Sequence, residues 1–167
     1  MRTLLLRLAQ IKLQTQIKRT EELIRKHINE HPTLKQQSAL LDSIPGIAES
    51  TAAHILAEMT DITQYKSARQ VAAYADLVPR ERQSGSSLKG RARLSKIGNA
   101  RLRHALYFPA ITALRCSPFI KAWAKSLQER GKCKMTVICA VMRKLIHIAY
   151  GVLKHGKPFD PEWAESA

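Results

Sequence analysis

Over the first thirty positions apolar residues recur every three or four places: Leu4, Leu8 and Ile11, then Leu13, Ile17, Ile24 and Ile28, with neither Gly nor Pro before Pro32. That spacing is helical, and proline, which has no N–H for a helix interior, stops it, so residues 1–31 are expected to form one long amphipathic helix. A solitary helix with an apolar stripe needs a mate, supplied by a coiled coil or by an upstream helix in a hairpin. Gln14, Thr15 and Lys18 interrupt the register, which leaves self-association through this arm poorly specified.

Beyond the arm the periods shorten. A short helix around Leu40 leads into Ile44-Pro45-Gly46-Ile47 and a second helix through Ala52, Ile55 and Leu56, the outline of a helix-hairpin-helix over about residues 40–58. Such a turn can grip phosphate, because its exposed N–H groups sit at a helix N-terminus where the dipole favours an anion. It reads equally as an ordinary helix–helix turn punctuated by Pro and Gly; Ala48 stands where a DNA-facing Gly-x-Gly turn has its second glycine. Ser67 is expected to cap a helix running to about Ala75 with Val71, Ala72 and Ala75 inward, closed by Leu77-Val78-Pro79.

Asn99 is expected to cap a helix from Ala100 to about Arg115, kinked at Pro109. Leu102, Ala105, Leu106, Ala110, Ala113 and Leu114 would face the core, and Arg101, Arg103 and His104 would face outward. Ser117 and Pro118 open another helix that Gly131 ends, and a last apolar helix spans roughly Lys134 to Leu153. No run alternates with a strand period, so the fold class is all-α. The division expected is an arm (1–37), a compact helical domain (38–160) and a tail (161–167).

Composition adds the partner. The 167 residues carry a formal net charge of +15 and 45% hydrophobic residues, enough for one packed core on a strongly basic chain. Ten cations and only Glu129 lie in residues 115–157; between Pro79 and Arg103 eight Lys or Arg accompany the single acid Glu81. Such a surface attracts nucleic acid first, the plain alternative being a merely soluble basic protein.

Cys116, Cys133 and Cys139 match neither a C-x-x-C pair nor a disulfide framework and read as reduced, mostly buried thiols. The start Met1-Arg2-Thr3-Leu4 lacks the plan of a signal peptide, and the run Val137 to Met142 falls far short of the roughly 20 residues of a membrane helix. A cytoplasmic, nucleoid-associated protein of a bacterium or archaeon, without a membrane partner, is the expectation.

The segment about 80–98 has no regular period, yet it sets Ser84, Gly85, Ser86 and Ser87 among Arg80, Arg82, Lys89, Arg91, Arg93 and Lys96. Glycines let a backbone approach a polyanion closely, and the cations can stabilise charge on phosphoryl oxygens. By composition alone the serines fit a flexible basic linker as well as a reactive site.

The order of these pieces resembles a known family. Ile44-Pro45-Gly46-Ile47 is followed by Ala73-Tyr74-Ala75, Leu77-Val78-Pro79-Arg80 and Ser84-Gly85-Ser86-Ser87 with Lys89-Gly90. Leu94-Ser95-Lys96-Ile97-Gly98-Asn99, Leu102-Arg103-His104-Ala105-Leu106-Tyr107, Met142-Arg143-Lys144-Leu145 and Ala149-Tyr150-Gly151 come next, down to Lys157-Pro158-Phe159-Asp160. Over about residues 38–160 this is similar to the C-terminal transposase domain of the "IS one-ten" insertion-sequence family. The resemblance implies DNA recombination through a serine nucleophile, which falls on Ser84, with Ser86 and Ser87 as fallbacks. It also implies a structured guide RNA, a coiled-coil link, and an N-terminal RuvC-like domain whose four acidic residues bind Mg²⁺.

That acidic domain has no counterpart here. Asp42, Asp61, Asp76, Asp160 and the nine Glu form no cluster suited to two metals, so the chain reads as a truncated frame or a fragment of a longer transposase. No cofactor is expected in the chain itself; Mg²⁺ would come with the missing domain. A serine hydroxyl needs a base, which no residue here clearly supplies. The expected phosphate contacts are Pro45, Gly46, Arg80, Arg82, Gly85, Ser86, Ser87, Lys89, Arg91, Arg93, Lys96, Arg101 and Arg103. His147 reads as a packing residue, and Tyr107, Phe119, Trp123 and Tyr150 as core rather than stacking platforms. The competing functions are a serine transposase half completed by another chain, a nucleic-acid-binding module without chemistry, and a helical assembly protein pairing through residues 1–31.

Overall fold

In the computed structural model, residues 2–59, 61–79, 83–84, 88–89, 94 and 97–162 are described. Helix α1 (Arg2–Glu30) is followed at once by α2 (Pro32–Asp42), so the proline that stops the first helix opens the second, where its missing N–H is not needed. Then come α3 (Glu49–Glu58), a 3-10 turn (Ile62–Gln64) and α4 (Ala68–Tyr74). A two-residue antiparallel ladder, β1 (Gln83–Ser84) with β2 (Leu88–Lys89), precedes α5 (Ala100–Ala105), α6 (Tyr107–Cys116), α7 (Pro118–Glu129) and α8 (Lys134–His155).

The fold is all-α, with α8 at its centre against α2, α4, α6 and α7. Its inward positions Val137, Val141, Leu145, Ile146, Ala149 and Val152 meet Leu41, Ile44, Ile55, Val71, Leu102, Leu106 and Ile120 in one core. Helix α8 has the length and apolar character of a membrane span, but more than half of that stretch is buried inside the protein, as a core helix requires.

Several ends follow the expected chemistry. Ser117 Oγ accepts the Ile120 N–H (3.3 Å) at the start of α7. At its end Gly131 takes φ +76° while its N–H reaches Gln128 O and the Lys132 N–H reaches Leu127 O, a Schellman closure. Ser67 is the N-cap of α4 but gives no side-chain bond; Gln70 Oε1 instead accepts the Lys66 N–H (2.7 Å).

Three expectations change. The helix expected over 100–115 is two helices, broken at Leu106 (φ −85°, ψ −10°), because Pro109 has no N–H to give Ala105 O; α6 restarts with Ala110 N–H on Leu106 O (3.0 Å). The serine loop, given no strand period, carries the short ladder that places Gln83 opposite Lys89 and Ser84 opposite Leu88. The thiols are free but not mostly buried: Cys116 and Cys133 are exposed and Cys139 half-buried. Thr136 Oγ1, 3.1 Å from Cys133 Sγ, draws the Cys133 pKa down, while burial pushes that of Cys139 up.

Candidate nucleic-acid site at the serine loop

The segment that holds Ser84 lies in the sequence between α4 and α5, and the described residues on either side of it are fastened to each other. Helix α4 closes with the Asp76 N–H on Ala73 O (2.9 Å) and the Leu77 N–H on Ala72 O (2.8 Å). That closure needs a left-handed residue, and Asp76 supplies it at φ +53°, the one non-glycine with positive φ among the described residues. Leu77, 1% exposed, then anchors the departing strand in the core.

The returning end is stitched onto residues 74–76. The Ile97 N–H donates to Asp76 Oδ2 (3.1 Å), and the Asn99 N–H to Tyr74 O (2.7 Å). Gly98 between them has no room for a side chain: a Cβ there would lie 2.5 Å from Tyr74 O and 2.7 Å from Asp76 Cβ. The Asn99 side chain completes the joint, its Oδ1 accepting the Leu102 N–H (3.0 Å) to cap α5 while Nδ2 donates to Glu58 Oε2 (2.6 Å) and Tyr74 Oη (2.8 Å).

The expected phosphate ligands divide accordingly. Arg80, Arg82, Gly85, Ser86, Ser87, Arg91, Arg93 and Lys96 lie outside the described residues; Ser84 and Lys89 are placed by their backbone ladder alone. Arg101 points outward, its side chain 86% exposed and 3.9 Å from Glu58 Oε1. Arg103 overturns the outward expectation. Its Nη1 sits 3.8 Å from Asp76 Oδ2 and donates to Ala75 O (3.2 Å), because the turn of α5 that carries Leu102 into the core swings Arg103 over the buried Asp76 carboxylate.

Pro45 and Gly46 are half-buried in the turn between α2 and α3. Gly46 has φ +90°, and a Cβ there would come within 2.4 Å of Pro109 O and 2.9 Å of Ala113 N, so close packing on the backbone of α6 accounts for the glycine. The aromatic expectation fits the geometry. Tyr150 is buried and donates to Tyr65 O (2.9 Å), while Tyr107, Phe119 and Trp123 pack on the core. Tyr74 and Ile97 in the joint, and Phe108 beyond it, are exposed apolar residues.

His147 Nε2 is buried without a hydrogen-bond partner; burial first, then Arg143, Lys144 and Arg69, depresses its pKa, as suits a neutral packing residue. Among the described residues no three His, Cys, Asp or Glu side chains gather to hold an ion.

Sequence reasoning missed Asp76, Glu58 and the second role of Asn99. For Asp76 a signal existed: Asp after an alanine-rich helix and before an apolar residue is the position where a left-handed closure stands. For Glu58 and Tyr74 there was none, since their partner lies 41 and 25 residues away along the chain.

Comparison with known proteins gives this geometry its context. Residues 38–125, just over half of the chain and all of the joint and loop, match the family model of the IS116/IS110/IS902 transposases. The chain is 38% identical over 134 residues to a pilin gene-inverting protein of Moraxella bovis, covering 80% of this chain and 42% of that protein. It is 38% identical over 96 residues to the transposase of insertion sequence element IS1111A from Coxiella burnetii, covering 54% of this chain and 26% of that one. An uncharacterized 43.6 kDa protein of insertion element IS110 from Streptomyces coelicolor is 29% identical over 119 residues. The chain spans less than half the length of these relatives. It belongs to the IS116/IS110/IS902 transposase family.

Proposed function

We propose that this chain acts in DNA transposition or site-specific recombination, with Ser84 as the nucleophile. The observation that carries the reading is the joint between residues 74–76 and 97–99. It fixes both ends of a serine-bearing, cation-rich segment to the core, within the part of the chain that matches the family.

In this reaction the Ser84 hydroxyl oxygen attacks a DNA phosphorus, a phosphoserine bond forms and the bond from phosphorus to the departing DNA oxygen breaks. The hydroxyl proton passes to a base and the departing oxygen takes up a proton. The phosphodiester energy stays in the serine link, so a new strand end can displace the serine without ATP. Arg80, Arg82, Lys89, Arg91, Arg93 and Lys96 supply positive charge to the phosphoryl oxygens, with Arg101 at the rim.

Base and Mg²⁺ donors belong, in this reading, to a carboxylate-bearing domain met through α1. A structured guide RNA would select the sequence, since phosphate contacts carry none of that information. The domain limits 1–37, 38–160 and 161–167 and a cytoplasmic place of action go with the same reading.

A second reading, a binding module without chemistry, shares the basic surface. The turn at Pro45 and Gly46 lends it less than its pattern promised, because the glycine answers to α6. The two separate in one experiment. The chain is mixed with labelled duplex and cruciform-like DNA in Mg²⁺, with and without a supplied carboxylate domain, and a denaturation-resistant adduct is sought in wild type and Ser84→Ala. An adduct in wild type alone establishes the nucleophile; salt-sensitive binding without an adduct in any mixture leaves the binding module.

A further inference from the structure

We propose that Asn99 and Glu58 are positioning residues for the serine loop, bracing its returning end against α3 and α4 so that Ser84 is presented in one place. The proposal deepens the reading of Ser84 as nucleophile and rests on it for the chemical consequence. The bracing itself rests on geometry alone.

The Asn99 side chain has two donors and two acceptor positions, and three of the four are used: one for the α5 backbone at 3.0 Å, one for Glu58 Oε2 at 2.6 Å and one for Tyr74 Oη at 2.8 Å. Capping α5 needs only the first. Ser, Thr or Asp would cap a helix as well as Asn, but none of them carries the two amide donors that reach sideways to α3 and α4. The bond to Glu58 is short, as expected when an ionised carboxylate accepts, and Glu58 is mostly shielded, its side chain 19% exposed.

Glu58 ends α3, Tyr74 ends α4 and Asn99 begins α5, so one side chain ties three helix ends at the point where the loop rejoins the domain. Two residues earlier in the chain, the Ile97 N–H is held by Asp76, which closes the other side of the joint. A nucleophile on a segment this long reaches a fixed position only if its ends are fixed, and a misplacement of about 1 Å can cost on the order of a hundredfold in rate.

The test uses the full chain, with Mg²⁺ and the carboxylate domain supplied for the adduct readout, and three variants, Asn99→Ser, Glu58→Ala and the double replacement. Two readouts are taken: tryptic cleavage between Arg80 and Lys96 followed by mass spectrometry, and the rate of DNA adduct formation at saturating DNA beside the affinity. Asn99→Ser keeps the cap. It is expected to speed cleavage in that segment by about tenfold or more while cleavage after Arg130 and Lys132 stays as in wild type. Adduct formation should slow by about tenfold or more with affinity within about twofold, the split expected of lost positioning. Glu58→Ala, which leaves the bond to Tyr74, should shift both readouts the same way by less, and the double variant should be no worse than Asn99→Ser, in which the bond to Glu58 is already gone.

Wild-type behaviour of Asn99→Ser in cleavage would mean that Asn99 only caps α5 and would overturn the proposal. Cleavage rising equally at Arg130 and Lys132 would overturn it too, as a general loss of fold. If wild type itself forms no adduct, the reading of Ser84 fails, and the cleavage pattern still decides the brace.

Discussion

The Arg103 guanidinium lies 3.8 Å from the Asp76 carboxylate in the interior, the two side chains 17% and 4% exposed, and the partner it meets is a residue in the left-handed region at φ +53°. A cation that looks from sequence like part of a phosphate-binding run is thereby committed to the fold. The same Asp76 oxygen takes the Ile97 N–H, so the ion pair and the joint of the serine loop share an atom.

Replacing Arg103 by Met, which keeps the buried stem and removes the charge, is expected to cost about 3 kcal/mol, the order found when one partner of a buried pair is deleted. Urea unfolding measures it. The slope of DNA affinity against salt should stay unchanged in the folded variant, because the Arg103 charge already faces Asp76.

Arg101→Ala should do the opposite. With its side chain in solvent, the replacement is expected to leave stability within about 0.5 kcal/mol and to lower the salt slope of DNA binding by about 1, uniformly across sequences. Binding titrations at several salt concentrations decide the matter.

Gly46→Ala should be severe. The position has φ +90° and the added methyl meets the Pro109 carbonyl at 2.4 Å, so strain and overpacking combine to roughly 2–4 kcal/mol. A fall in the urea midpoint without loss of the Ser84 adduct in the folded fraction would separate packing from phosphate binding at this turn.

His147 gives a pH signature. Its folded-state pKa is depressed below the ordinary 6.5 chiefly by burial, so below pH 6.5 the unfolded chain takes up the proton first and stability falls as pH drops toward the folded value. Stability is fully present above 6.5 on this account. His147→Gln is expected to flatten the stability profile below pH 6.5 and leave it unchanged above, as followed by thermal unfolding across pH.

Much of the fold was legible because its signals are local. Pro32, Asn99, Ser117 and Gly131 mark helix ends by their own chemistry, and the three-to-four spacing of Leu102, Leu106, Ala110 and Ala113 named the inward face correctly. The break at Leu106 was misplaced by three residues because a proline disturbs the turn before it, where its missing N–H leaves a carbonyl unbonded. Arg103 was misjudged for a different reason: next to Arg101 on a short helix it has the same composition context, and only the fold brings Asp76 beneath it. The joint itself was invisible, since Glu58, Tyr74 and Asn99 are common residues whose meaning arises when three helix ends meet.

Helix α1 carries Leu4, Leu5, Leu6, Leu8, Ile11, Leu13 and Ile17 at 55–64% exposure, along a rod of about 43 Å at 1.5 Å per residue. Helices in proteins owe most of their stability to packing an apolar face, and this face is open from Leu4 to Ile24. Nearer its other end the arm makes paired Arg25–Glu49 bonds at 2.7 and 2.9 Å and packs on α2. Were a second copy or another partner to cover that face, the amount of helix in the purified chain would become a function of concentration and of company, read by far-UV circular dichroism across a dilution series.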